Sequence, residues 1–218
     1  MTEKPIELED VGAAFDERAV ADVGEYFATY TGRRFDTLSG GGSRPGACDR
    51  FDADDVVAVS LLSVDIPGEA VFVLLDDEDA RFATLLEKIP THVDLWDAGD
   101  DVIGPGSPAD LLWTLVREVH DCGWVTAGKL LARKRPRLIP VYDSIVRAEL
   151  GRQDGDGYWR PLRDLLCEHE SLRARLLGIR TRTRIGDDIS LIRVLDVALW
   201  MSGDRRRKTT QAGGEPTA

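Results

Sequence analysis

The stretch HDCGWVTAGKLLARKRPRLIPVYDSIV, residues 120–146, holds the side chains best placed to do chemistry. A glycine at 123 suits a tight bend between two helices, because it tolerates backbone conformations that other residues resist. The N–H groups of residues 125–127, with the hydroxyl of Thr126, would then face an anion such as a phosphate at the start of the second helix. Lys129, Arg133, Lys134, Arg135 and Arg137 follow directly and would add five positive charges suited to a DNA backbone. The plainer alternative is helical packing with a solvated basic face. Asp143 precedes SIVRAEL, so it either caps that helix or stands as a free carboxylate beside a cleft. Trp113, Trp124, Tyr142 and Trp159 are the aromatic candidates for pocket walls, and core packing is their alternative role.

Other constellations carry less. His120 with Cys122, and Cys167 with His169, form two pairs that in principle could share a zinc ion. Residues two apart on a helix point to different sides, so each pair would have to sit at an irregular end, and the sequence calls for no metal and no cofactor. The acidic run DDEDA at 76–80 lacks the ligand spacing of a calcium loop and reads as a solvated turn. Gly40, Gly41 and Gly42 neither follow a strand nor precede a lysine at phosphate-loop spacing, so they read as a flexible loop.

The elements that must position these residues read as helices throughout. Phe15, Val20, Val23, Phe27 and Tyr30 recur at helical spacing over 14–30. Asp52 suits the N-cap of a buried helix that follows it, and 67–90 reads as one broken or two consecutive helices. Ser107 with Pro108 opens a helix. A break at DCGW separates it from TAGKLLARKR, which Pro136 stops. Asp143 opens the next helix, which ends at Gly151. YWRPLRDLLCEHESLRARLLGI reads as a single amphipathic helix, and DISLIRVLDVALWM as a buried one. Nothing alternates with period two for long. The expectation is an all-α fold of seven to nine helices in one domain over 1–202, with a helix–hairpin–helix-like element near 107–150. The polar residues 203–218 are expected to form a disordered tail.

At 218 residues the chain is long enough to bury a core without disulfides. It is 43% hydrophobic and 31% charged, a globular balance. The longest apolar run, AVFVLL at 70–75, is far short of the roughly 20 residues of a membrane helix, and the acidic start is no secretory signal. Three scattered cysteines point to a reducing cytoplasm rather than a disulfide framework. The net charge of −11 is unevenly spread: residues 1–125 hold 9 basic and 27 acidic side chains, residues 126–218 hold 19 and 12. A basic C-terminal half leaves room for a phosphate-facing surface. The preponderance of arginine over lysine also fits the residue usage of a GC-rich genome.

The run VTAGKLLARKRPRLIPVYDSIV, with SPADLLW before it and RVLDVALWM after it, resembles an uncharacterised actinobacterial family, a domain of unknown function, over most of residues 24–202. That resemblance implies no activity. Residues 107–150 are similar, more distantly, to the helix–hairpin–helix DNA glycosylase superfamily. Its motif is a glycine-bearing hairpin, then Thr-Ala, a helix, and a Pro-containing loop ending in Val-Asp. Gly123, Thr126 with Ala127, and Val141 with Asp143 occur here in that order, and the step from Ala127 to Asp143 is similar to the superfamily's spacing. The sequence departs in its CGWV hairpin, in Tyr142 between the valine and the aspartate, and in Val125 where bifunctional members carry a lysine; Lys129 comes one helical turn later. The resemblance therefore implies a DNA-directed protein with monofunctional N-glycosidic hydrolysis. Asp143 would stabilise positive charge on the sugar or orient water, and an extruded base would stack on aromatic walls. The alternatives are a non-enzymatic helical module for DNA or protein, and a domain whose basic half merely pairs with its acidic half.

Overall fold

A computed structural model describes residues 3–153 and 157–213. Among these residues there are twelve α-helices and no strand, so the fold is all-α. The helices are α1 (Leu8–Gly12), α2 (Ala19–Thr29), α3 (Ala53–Ser60), α4 (Gly68–Phe72), α5 (Asp79–Leu86), α6 (Asp100–Ile103), α7 (Pro108–Glu118), α8 (Trp124–Lys134), α9 (Ser144–Glu149), α10 (Trp159–Glu168), α11 (Glu170–Thr183) and α12 (Leu191–Gly213). A π-helical turn, Val73–Asp77, joins α4 to α5. Among the described residues, no helix is long and apolar enough to cross a membrane.

Local chemistry sets the starts. Asp52 accepts the Asp55 N–H while Asp55 accepts the Asp52 N–H, a reciprocal box that opens α3. Ser107 accepts from the Asp110 N–H, with Pro108 in the first turn of α7. Asp143 accepts from the N–H groups of Ile145 and Val146 to open α9. Packing then gathers α2, α9 and α11 around α12, while α5 packs on α7, α7 on α8 and α8 on α3.

Helix α8 lies at the centre, with every residue from Thr126 through Lys134 buried. Its cations are turned inward. Arg133 Nε stands 3.4 Å from Asp55 Oδ1, and its other nitrogens donate to the carbonyls of Phe35 and Leu38. Lys134 pairs with the other Asp55 oxygen and donates to the Ala47 carbonyl at 3.0 Å. Arg135 donates to the carbonyls of Ile89, Cys48 and Leu86 and to Asp49. The glycine-rich segment is thus a wrapped loop rather than a free one: it lies on α8, and a Cβ at Gly42 would run into the Arg133 carbonyl oxygen. An irregular loop needs donors for its carbonyls, and the three cations supply them where water does not reach.

Three expectations fail. Among the described residues there are twelve α-helices where seven to nine were expected. The amphipathic stretch 158–179 is two helices, not one: His169 leaves the helical region (φ −116°, ψ 78°), and Arg173 donates to the freed carbonyls of Leu166 and Cys167. The expected disordered tail is helical as far as Gly213, the last described residue. Arg205 pairs with Asp16 and Asp22, Arg206 with Glu149, and Lys208 with Asp204 one turn back, so ion pairs to α2 and α9 carry the helix beyond its apolar part.

Removing one partner of a buried pair leaves the other charge uncompensated. Asp55→Asn should therefore lower the unfolding free energy by about 3–5 kcal/mol in urea titrations. A loss below about 1 kcal/mol, the value of a surface pair, would contradict the buried arrangement.

Candidate functional site

Helices α7 and α8 pack on each other across residues 119–123. The Cys122 N–H closes this connection on the Val119 carbonyl at 2.9 Å. The bend comes from Asp121, at φ 63°, and not from Gly123, which is extended at φ −74° and ψ 178°. No side chain caps the start of α8. Thr126 is buried, so its hydroxyl does not face outward.

Four of the five cations expected to hold DNA are buried. Lys129, Arg133, Lys134 and Arg135 are each at most 4% exposed, too little for a phosphate outside to reach them. Arg137 is half exposed but paired with Asp94. The buried run supplies partners to Asp55 and to carbonyls of the N-terminal half, which would otherwise be buried unpaired.

Asp143 does face a cavity. One of its oxygens, Oδ1, is occupied by the two N–H groups of α9. The other, Oδ2, stands 3.9 Å from Lys129 Nζ, and the side chain keeps 16% of its exposure. Lys129 also donates to the Leu62 carbonyl at 2.9 Å. Burial pulls its ammonium below the ordinary lysine range, and Asp143 opposes that pull. The cavity has a volume of about 360 Å³, and Tyr26, Tyr30 and Trp200 form its aromatic wall. Tyr26 and Tyr30 are stacked at 5.3 Å, with Trp200 edge-on to Tyr30 at 5.5 Å.

The four aromatic residues singled out in the sequence do come together, but elsewhere. Trp113, Trp124, Tyr142 and Trp159 line a second cavity of about 580 Å³, and none of the residues lining it lines the first. The partition follows from backbone periodicity. Along the extended segment 140–143, Pro140 and Tyr142 face the second cavity, Val141 and Asp143 the first. On α8, Val125 and Lys129 face the first and Trp124 and Gly128 the second, each pair one turn apart. Asp143 is therefore not walled by the tryptophans expected to serve it.

Sequence reasoning missed the polar floor of the first cavity. Arg193 is buried, 3.0 Å from Asp36 and 2.9 Å from the Tyr26 hydroxyl. Burial disfavours its charge, yet Tyr26 and Asp36 hold it above the ordinary arginine value. Asp196, one turn on, accepts the Val141 N–H at 2.7 Å, which anchors the segment that presents Asp143. Burial raises the Asp196 carboxyl well above the usual carboxylate range, against the pull of Arg193 and that N–H. The available signal was an arginine and an aspartate three apart inside an otherwise apolar helix, a placement that requires internal partners.

Among the described residues, no three His, Cys, Asp or Glu side chains stand close enough together to hold a metal ion. The model of a family of unknown function (DUF6308) matches residues 19–203. No curated protein and no solved structure matches the chain.

The state of Asp196 has a measurable consequence. Above about pH 4 an unfolded aspartate has released its proton, while burial delays that release from Asp196 in the folded chain to higher pH. Rising pH therefore favours unfolding until the folded pKa is passed. Asp196→Asn keeps an acceptor for Val141 but has no proton to lose, so its melting temperature should fall less than that of the parent chain as the pH rises above about 4. Parallel melting curves for the two proteins would refute a raised Asp196 pKa.

Proposed function

The chain belongs to this family of unknown function, and we propose that it hydrolyses an N-glycosidic bond, with Asp143 as the catalytic carboxylate and a nucleobase-bearing substrate seated in the first cavity. The observation that carries this reading is the division of labour at Asp143: one oxygen fixed by two backbone N–H groups, the other directed at Lys129 in an aromatic-walled cavity. Breaking the bond between base and sugar develops positive charge on the sugar, and a carboxylate held rigidly in a poorly hydrated site stabilises that charge and can orient the attacking water. The stacked tyrosines and Trp200 offer flat faces and edges to a base. Lys129, whose ammonium the burial makes easier to deprotonate, is the cation that faces this carboxylate at 3.9 Å.

In this reading the run 129–135 is scaffold. Contact with a DNA strand would fall to the uncapped N–H groups at the start of α8. The inward turn of the same cations favours a second reading, a helical module without chemistry in which Asp143 only caps α9.

Asparagine caps a helix as well as aspartate does, so Asp143→Asn should fold like the parent chain. Its rate of base release from damaged duplexes and free nucleosides should fall by at least roughly 100-fold. A parent chain inactive on both sets of substrates would reject the enzyme and leave the module.

A further inference from the structure

We propose that the second cavity is a separate binding site for a planar aromatic small molecule that carries an anionic group. Its walls are flat and already assembled: Tyr142 stacks on Tyr158 at 4.0 Å, Trp124 leans on Tyr142 at 5.4 Å, and Trp113 meets Trp159 edge to face at 6.4 Å. At about 580 Å³ it falls in the size range of small-molecule pockets.

One feature sets this cavity apart from a packing defect. Gly128 lies in the middle of α8, where glycine costs about 1 kcal/mol relative to alanine. It is buried, yet a Cβ there would meet nothing within 4 Å. The missing side chain leaves the cavity floor open.

The rim sets the sign of the ligand. Among the described residues, three arginines, Arg117, Arg147 and Arg160, border the cavity against two carboxylates. Of these, Asp110 already accepts the Gly106 N–H, and Glu3 stands 3.9 Å from Arg160. Arg117 lies over the Trp113 ring at 4.3 Å, so it can close on a carboxylate or phosphate while keeping its stack. An aromatic ring between the indoles with its anionic group toward Arg117 satisfies walls and rim together.

The five indole N–H signals separate the two cavities in a proton–nitrogen correlation spectrum, since Trp113, Trp124 and Trp159 line the second, Trp200 lines the first and Trp96 lines neither. Titration of the whole chain with indole-3-acetate should shift Trp113, Trp124 and Trp159 saturably and leave Trp96 and Trp200 in place. Gly128→Leu, which fills the floor, should weaken binding at least tenfold. Arg117→Glu, a surface change that spares the core, should do the same, and Asp143→Asn should leave affinity unchanged. Absence of saturable shifts at millimolar ligand, movement of Trp200 instead, or neutral indole binding as tightly as indole-3-acetate would each overturn the proposal. Because the probe and the readout do not involve Asp143, failure here is distinct from failure of the hydrolase reading.

Discussion

The pairing of Asp55 with Arg133 and Lys134 inside the molecule is the constraint on which the rest depends. A carboxylate with no exposed surface needs cations, and two cations beside it need further acceptors. Those acceptors are carbonyls of an irregular segment, at Phe35, Leu38 and Ala47, of which Leu38 also accepts the Gly41 N–H. Each side thus removes the other's desolvation cost. The result fixes α8 at the centre of the fold, with its polar side chains buried alongside its apolar ones.

Once α8 is held, the site follows from it. Lys129 lies one turn before Arg133 and is carried into the first cavity beside Asp143. Gly128 and Trp124 open on the other side. The extended segment 140–143 completes the partition, and Asp196 holds it from behind through the Val141 N–H. Two cavities of different chemistry, one centred on a carboxylate and an amine and the other on stacked aromatic rings with a basic rim, therefore share one wall.

Much of this was legible in the sequence where the signal is local. The caps at Asp52, Ser107 and Asp143 were readable because a short polar side chain before an apolar run has one economical use, to satisfy the first N–H groups of a helix. The all-α class followed from spacing, and Trp113, Trp124, Tyr142 and Trp159, candidates for pocket walls on their aromatic character alone, line the second cavity. The direction of the basic run was not legible. A Lys or Arg stem packs equally well along a surface or through a core, and its partners here, at 35–49, 55, 86 and 89, lie dozens of residues away. The same holds for the last helix, whose polar continuation is helical because of Asp16, Asp22 and Glu149, residues no local window contains. The break at His169 was hidden for the opposite reason: the residues on either side keep one helical period, and the interruption shows only in the backbone.

The inward turn of α8 is tested most directly by the reactivity of the five lysines in the folded protein. Acetylation of the native chain with a water-soluble ester, read by mass spectrometry, should modify the exposed Lys4, Lys88 and Lys208 and spare Lys129 and Lys134 until denaturant is added. Modification of Lys134 in the native state at the rate of Lys88 would show that the run faces solvent, and would return it to the role of a phosphate-binding surface.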